Sequence, residues 1–185
     1  MNIEAVFVDR DGTIGGTGHF IHPKDFTPYS FSREALQILK DHNIKIFACT
    51  NQHRISRGEA RLEDFHKEFQ SYEFDDAFIC PHSSDDDCNC HKPKPGMLLK
   101  AAKKYKLDLT KTVFIGDVGS TDMLAAHSVG AMKVLVLTGW GDSSLNEFRD
   151  KWSEVEPDYI AANLLEAVQW VISKNEFHHD NKPSC

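Results

Sequence analysis

The sequence has no apolar run approaching the ~18 to 20 residues that a membrane-spanning helix needs. It reaches Asp9, Arg10 and Asp11 before any long apolar stretch can form, which argues against a cleaved secretory signal. It also lacks a surplus of base: 21 Lys plus Arg face 28 Asp plus Glu, a net charge of −7, so electrostatic attachment to nucleic acid or to an anionic membrane is disfavoured. No internal repeat is present, and no composition break marks a linker. Cysteine is sparse and odd in number, at Cys49, Cys80, Cys88, Cys90 and Cys185. In a chain expected in the cytoplasm this speaks against a disulfide framework, and the tight grouping of the middle three points to metal instead. What remains is a chain of 185 residues, 41% hydrophobic and 26% charged, of a size that suits one well-packed domain. Residues 1–175 are expected to form that domain and 176–185 a frayed polar tail.

Hydrophobic patterning predicts alternating strands and helices. Short apolar, β-branched runs at Ile3 to Val8, Ile44 to Cys49, Asp76 to Cys80, Thr112 to Ile115 and Lys133 to Leu137 read as strands covered on both faces, with an edge strand at Asp158 to Ile160. Helices are expected from Ser32, as a cap, through His42 (burying Ala35, Leu36 and Leu39), over Glu59 to Tyr72 (Leu62, Phe65 and Phe69 at helical spacing), from Pro95 to Tyr105, from Thr121 to a stop near Gly130, over Asp142 to Trp152, and over Leu164 to Ser173. Successive βα units of this length predict an α/β fold, a parallel sheet with helices on both faces. Ligands of such sheets sit beyond the carboxyl ends of the strands. Asp9 and Asp11 follow the first strand, Thr50 the second and Asp117 the fourth, while Lys92 precedes a helix in the intervening loop.

Acids gathered at strand ends repel one another unless a cation joins them, and hard oxygens favour Mg²⁺, which recruits substrate phosphate oxygens. With Lys92 and a threonine hydroxyl added, the set looks like a phosphoryl-transfer site. Two carboxylates one residue apart can divide the labour, Asp9 as nucleophile and Asp11 as acid and base, with Gly12 permitting the turn between them.

Asp9-Arg10-Asp11-Gly12-Thr13 resembles the first motif of the haloacid dehalogenase superfamily phosphatases. Thr50-Asn51-Gln52 resembles the second, Lys92-Pro93-Lys94-Pro95-Gly96-Met97 the third, and Gly116-Asp117 with Asp122 the acidic fourth. Within the superfamily, this combination with a Cys/His cluster is similar to the D-glycero-D-manno-heptose 1,7-bisphosphate phosphatases and their histidinol-phosphatase relatives. The resemblance implies a Rossmann-like three-layer α/β/α core, with Asp9 attacking phosphorus and Asp11 serving the leaving alcohol and then water. Mg²⁺ would be held by Asp9, the backbone carbonyl of Asp11 and Asp117, and the phosphoryl oxygens by Thr50 and Lys92. Asn51, Gln52, His53 and His91 are the expected substrate contacts. Asp122 reads equally well as a favourable charge in the first turn of its helix, and Lys94 competes with Lys92.

Cys80-Pro81-His82 and, five residues on, Cys88-Asn89-Cys90 supply three thiols and an imidazole. That is a tetrahedral zinc ligand set with no open position, hence a structural Zn²⁺. The resembling family has the same two pairs, which strengthens the assignment. Asp85, Asp86 and Asp87 read as a solvated charge run, Cys49 as a buried strand residue and Cys185 as a tail thiol.

The connection from Ile14 to Phe31 and the stretch from His53 to His91 are where the superfamily inserts caps, and neither is long enough here. A capless, loop-walled site is expected, with His19, Phe20, His22, Phe26 and Tyr29 as entrance contacts. Three departures separate this sequence from the heptose enzymes: His91 replaces an arginine, Val118 a lysine and His53 a serine. Arg and Lys are the natural holders of a second phosphate, so Arg54, Arg57 or Lys94 would have to compensate. The expected activity is hydrolysis of a small sugar phosphate such as a heptose bisphosphate, by a cytoplasmic monomer with no nucleic-acid or membrane partner. The alternatives are histidinol phosphate as substrate, or a catalytically inactive zinc-stabilised binding module.

Overall fold

The computed structural model describes residues 2–176. The expected tail beyond Glu176, with Cys185, lies outside the described residues. Six parallel strands, β1 (Ala5–Val8), β2 (Lys45–Asn51), β3 (Asp76–Cys80), β4 (Thr112–Gly116), β5 (Met132–Val136) and β6 (Tyr159–Ala161), form one sheet in the order β3-β2-β1-β4-β5-β6. Six helices accompany them: α1 (Ser32–Asp41), α2 (Leu62–Ser71), α3 (Gly96–Tyr105), α4 (Leu124–Ser128), α5 (Gly141–Leu145) and α6 (Leu164–Glu176).

Period-two alternation sorts the strand side chains into two cores. Val6, Val8, Ile46, Ala48, Val113 and Ile115 meet α1, α2 and α6 on one face. Ala5, Phe7, Phe47 and Phe114 meet α3, α4 and Trp152 on the other. On the second face the parallel register aligns Phe47, Phe7 and Phe114 as one row, with Phe7 centroids 5.5 and 6.4 Å from the two neighbours. These are the three layers of the predicted fold. Of the two expected insertion points, the connection from Ile14 to Phe31 contains one 3₁₀ turn, Pro23–Asp25, and the stretch from His53 to His91 contains α2 and β3.

Three local expectations are corrected. Phe31, not Ser32, occupies the cap of α1, because the Ser32 hydroxyl donates instead to the Ile14 carbonyl at 2.7 Å and ties the helix to the loop after β1. Leu62 opens α2 but stays exposed, and Phe65 and Phe69 carry that helix's burial. The helix expected over 142–152 is broken into α5 and a 3₁₀ turn at Arg149–Trp152. Burying Trp152 bends the chain there: its indole N–H donates to the Ser144 carbonyl at 2.9 Å, taking an acceptor that a continuous helix needs. The stop at Gly130 is as expected, with φ +75° just beyond α4.

The largest fully buried side chain is Arg10. Its guanidinium forks onto Glu68 of α2 at 2.6 and 2.7 Å, reaches Asp11 at 2.6 Å, and lies 3.8 Å from the Phe26 ring centroid. A buried charge is tolerable only when paired. Glu68→Ala, which leaves Arg10 half-paired, is therefore expected to cost about 3 kcal/mol or more of unfolding free energy, measured by urea denaturation.

Candidate active site and metal centres

From β1 the chain passes to β2 on one side and from β4 to β5 on the other, so a crevice opens beyond the carboxyl ends of these two neighbouring strands. Asp9 prolongs β1, its N–H donating to the Ile115 carbonyl at 3.0 Å, and Asp117 directly follows β4. Gly12 turns the chain back at φ +87°, and a side chain there would collide with the Asp117 carboxylate. The Asp117 Oδ2 accepts from the Trp140 backbone N–H at 2.8 Å, and Oδ1 lies 3.4 Å from the Thr13 hydroxyl. Burial, followed by the charges of Asp9 and Asp122, raises the Asp117 carboxyl well above the usual carboxylate range.

Lys92 is buried at the centre of this crevice. Its ammonium donates to Asp9 at 2.8 Å, to Asp122 at 2.7 Å and to the Cys49 carbonyl at 2.8 Å. Burial alone would lower its pKa, but Asp122 and Asp9 outweigh that and hold it above the ordinary lysine value. Asn51 clamps the lysine's backbone from both sides, accepting from its N–H at 3.0 Å and donating to its carbonyl at 3.1 Å. Asp122 is fully buried, and its second oxygen accepts from the Val118 N–H at 3.0 Å. Asp122 thus stands both in the first turn of the helical segment Gly119–Met123 and inside the acid cluster. Lys94 lies elsewhere: its ammonium donates to the Cys88 carbonyl at 2.8 Å.

Asp11 faces different partners from Asp9. One oxygen takes the Arg10 guanidinium and the other accepts from the Gln52 amide at 2.6 Å. Burial pushes its carboxyl up to about 6, against the lowering effect of Arg10. The same Gln52 amide lies 3.1 Å from the Thr50 hydroxyl. Gln52 and Asn51, expected as substrate contacts, both line the catalytic cavity and also position Asp11, Thr50 and Lys92.

A cavity of 190 Å³ is lined by Asp9, Asp11, Thr50, Lys92, His53 and Phe20, among others. His91 points away from it, its Nδ1 3.8 Å from the Cys80 sulfur. Of the aromatic entrance residues only Phe20 lines the cavity. His19 packs edge-on against Trp140, His22 caps the 3₁₀ turn at Pro23, Phe26 lies under Arg10, and the Tyr29 hydroxyl donates to the Gly16 carbonyl at 2.6 Å. Arg54 pairs with Glu59 at 2.7 Å with its guanidinium 5.6 Å from the Phe20 ring centroid, while Arg57 is exposed. The contributions of Arg10, Glu68 and Trp140 escaped the sequence reading. Arg10 and Glu68 are far apart in sequence, and each sits among other charges, Arg10 between two aspartates and Glu68 in a helix rich in Glu, Asp, His and Lys, so neither stands out.

Two ligand sets are assembled. Carboxylate oxygens of Asp9, Asp117 and Asp122 lie within 4.8 Å of one another. Because Asp117 has no ion pair among the described residues, the set of hard oxygens suits Mg²⁺. The Asp11 side chain is bound to Arg10 and Gln52. Around β3, Cys80, His82, Cys88 and Cys90 also converge within 4.8 Å: the Cys80 sulfur is 3.8 Å from that of Cys88 and 3.3 Å from that of Cys90, and His82 Nδ1 is 3.6 and 3.2 Å from Cys80 and Cys90. Tetrahedral Zn–S bonds of ~2.3 Å place sulfurs ~3.8 Å apart, so the cluster has the size of a zinc site. Asp85, Asp86 and Asp87 are exposed beside it, and Cys49 is buried in β2.

Residues 89–167 match a family model described as HAD-hyrolase-like. Among curated proteins, the chain is 30% identical over 179 residues to a D-glycero-beta-D-manno-heptose-1,7-bisphosphate 7-phosphatase of Helicobacter pylori, covering 91% of this chain and 97% of that one. It is 36% identical over 160 residues to the protein of the same name from Pseudomonas aeruginosa, covering 80% and 88%. Among solved structures, the D,D-heptose 1,7-bisphosphate phosphatase from B. bronchiseptica, complexed with magnesium and phosphate, is similar with a TM-score of 0.80 at 26% identity, over 92% of this chain and 99% of that one.

If the cysteine cluster holds zinc, the purified protein is expected to carry about one zinc ion per chain. Cys88→Ser is expected to lower both that content, read by atomic emission, and the thermal unfolding midpoint.

Proposed function

The chain belongs to the haloacid dehalogenase-like phosphatases of the heptose-1,7-bisphosphate 7-phosphatase family, and from that premise we propose that it hydrolyses the phosphate ester of a small sugar phosphate, such as a heptose bisphosphate, through an aspartyl phosphate on Asp9. The observation that carries this reading is the placing of Lys92 between Asp9 and Asp122 beside Asp11. An Asp9 oxygen bonds to phosphorus as the ester P–O bond breaks, and the Asp11 carboxyl gives its proton to the departing alcohol. Asp11, now ionised, takes a proton from water as that water attacks phosphorus, and the Asp9 carboxylate is released with inorganic phosphate. A carboxyl titrating near 6 is suited to both halves. Thr50 and Lys92 would receive the transferring phosphoryl oxygens, where a positive charge stabilises the transition state. Asp9, Asp117 and the Asp11 carbonyl would hold Mg²⁺, which when bound supplies electrostatic stabilisation of the phosphoryl group.

The enzyme would be a one-domain monomer working on small metabolites in the cytoplasm, and the net charge of −7 disfavours a nucleic-acid partner. The zinc would be structural, fixing the loop between Cys80 and Lys92.

Asp9→Asn is expected to reduce turnover of an aryl phosphate in Mg²⁺ at least about a thousandfold while circular dichroism and thermal midpoint are retained. A panel of heptose bisphosphate, heptose monophosphate and histidinol phosphate sets the substrate. Selective turnover of a heptose ester supports this reading, equal and feeble rates on all three overturn the sugar assignment, and no turnover at all favours a binding module.

A further inference from the structure

A second cavity, of 370 Å³, adjoins the catalytic one and shares Gly18, Val118 and Thr121 with it. Its other walls include the rings of Trp140 and Phe148, both half-buried, with centroids 6.4 Å apart at 61°. From this arrangement we propose that it is the leaving-group subsite, in which the ring of the sugar ester packs its C–H face against Trp140. The inference rests on the phosphatase reading and deepens it.

Three observations support it. The indole is fixed from several sides before any substrate arrives: His19 stands edge-on at 4.9 Å between centroids, and Gly18, at φ +89°, brings the loop backbone so close that a side chain there would strike the indole. Its position is also indexed to the reacting centre, because the Trp140 backbone N–H holds Asp117 Oδ2 at 2.8 Å. Finally, the chemistry of the lining suits an uncharged ring. No carboxylate lines this cavity, its one cation is the exposed Lys151 with the ammonium 4.4 Å from the Phe148 centroid, and Val118 offers only methyl groups. Rigid aromatic walls with few polar groups are how proteins bind and orient small ligands. Trp140 is thus a specificity-determining residue that touches the part of the ester beyond the phosphorus and takes no part in bond making.

The test compares the best sugar phosphate of the panel with ethyl phosphate, which has no ring, in wild type, Trp140→Ala and Trp140→Phe. The Trp140 backbone contact to Asp117 survives in both variants. The inference expects Trp140→Ala to lower the ratio of kcat/KM for the sugar ester to that for ethyl phosphate about tenfold, chiefly through KM. Trp140→Phe, which keeps an aromatic face, is expected to restore most of it. A parallel loss on both esters, leaving the ratio unchanged, overturns the inference and reduces Trp140 to a brace for Asp117. Failure of the wild type on every ester is a different result, because it removes the phosphatase reading itself and this inference with it.

Discussion

Four carboxylates, those of Asp9, Asp11, Asp117 and Asp122, crowd the carboxyl ends of β1 and β4, and the protein is organised around making that crowding tolerable. Buried like charges cost several kcal/mol each unless paired or protonated. One response is a buried ammonium, Lys92, between Asp9 and Asp122. Another is a buried guanidinium, Arg10, on the opposite side of β1, which attends to Asp11. Asp117 receives no ion pair among the described residues, and its carboxyl is displaced far toward the neutral form. The residual imbalance is what gives the site its appetite for a divalent cation.

The same partition explains how two aspartates separated by one residue come to differ. Asp9 sits with Lys92 on the side of Phe114 and α3, where the ammonium fixes its carboxylate. Asp11, past the turn at Arg10, sits between that residue and Gln52, in surroundings where gaining and losing a proton near neutrality is easy. Glu68 matters here at one remove. By neutralising part of the Arg10 charge, it moderates how strongly the guanidinium holds Asp11 ionised.

Much of this was legible in the chain because its signals are local. Strand runs such as Ala5–Val8 and Thr112–Gly116 are short and apolar, and Asp9 and Asp117 follow their ends directly, while Thr50 lies at the end of β2 and Lys92 stands in the loop before α3. What stayed hidden depends on tertiary pairing. Nothing near Arg10 announces Glu68, fifty-eight positions away, and nothing in Asn51 or Gln52 distinguishes a substrate contact from a brace for Lys92 or Asp11 until the folded chain brings those groups together. The break in the expected helix over 142–152 likewise came from the burial of Trp152, a long-range demand that overrides local periodicity. His91 was read beside Lys92 in sequence, yet consecutive residues leaving a loop face opposite ways, and it turned to the cysteines.

The loop between β1 and α1 is tied at its base. The Ile14 carbonyl accepts from both the Tyr29 N–H and the Ser32 hydroxyl, and the Gly16 carbonyl accepts from the Tyr29 phenol. Of the residues between those knots, Gly18 lines both cavities and Phe20 the catalytic one, while Phe20, Ile21 and Phe26 pack against the core. The chain entropy of lengthening such a closed loop is small, and its ends are already held together by the fold. A change of length at the tip, around Gly18, would therefore reshape both cavities at little cost in chain entropy while Asp9, outside the loop, keeps its place at the end of β1.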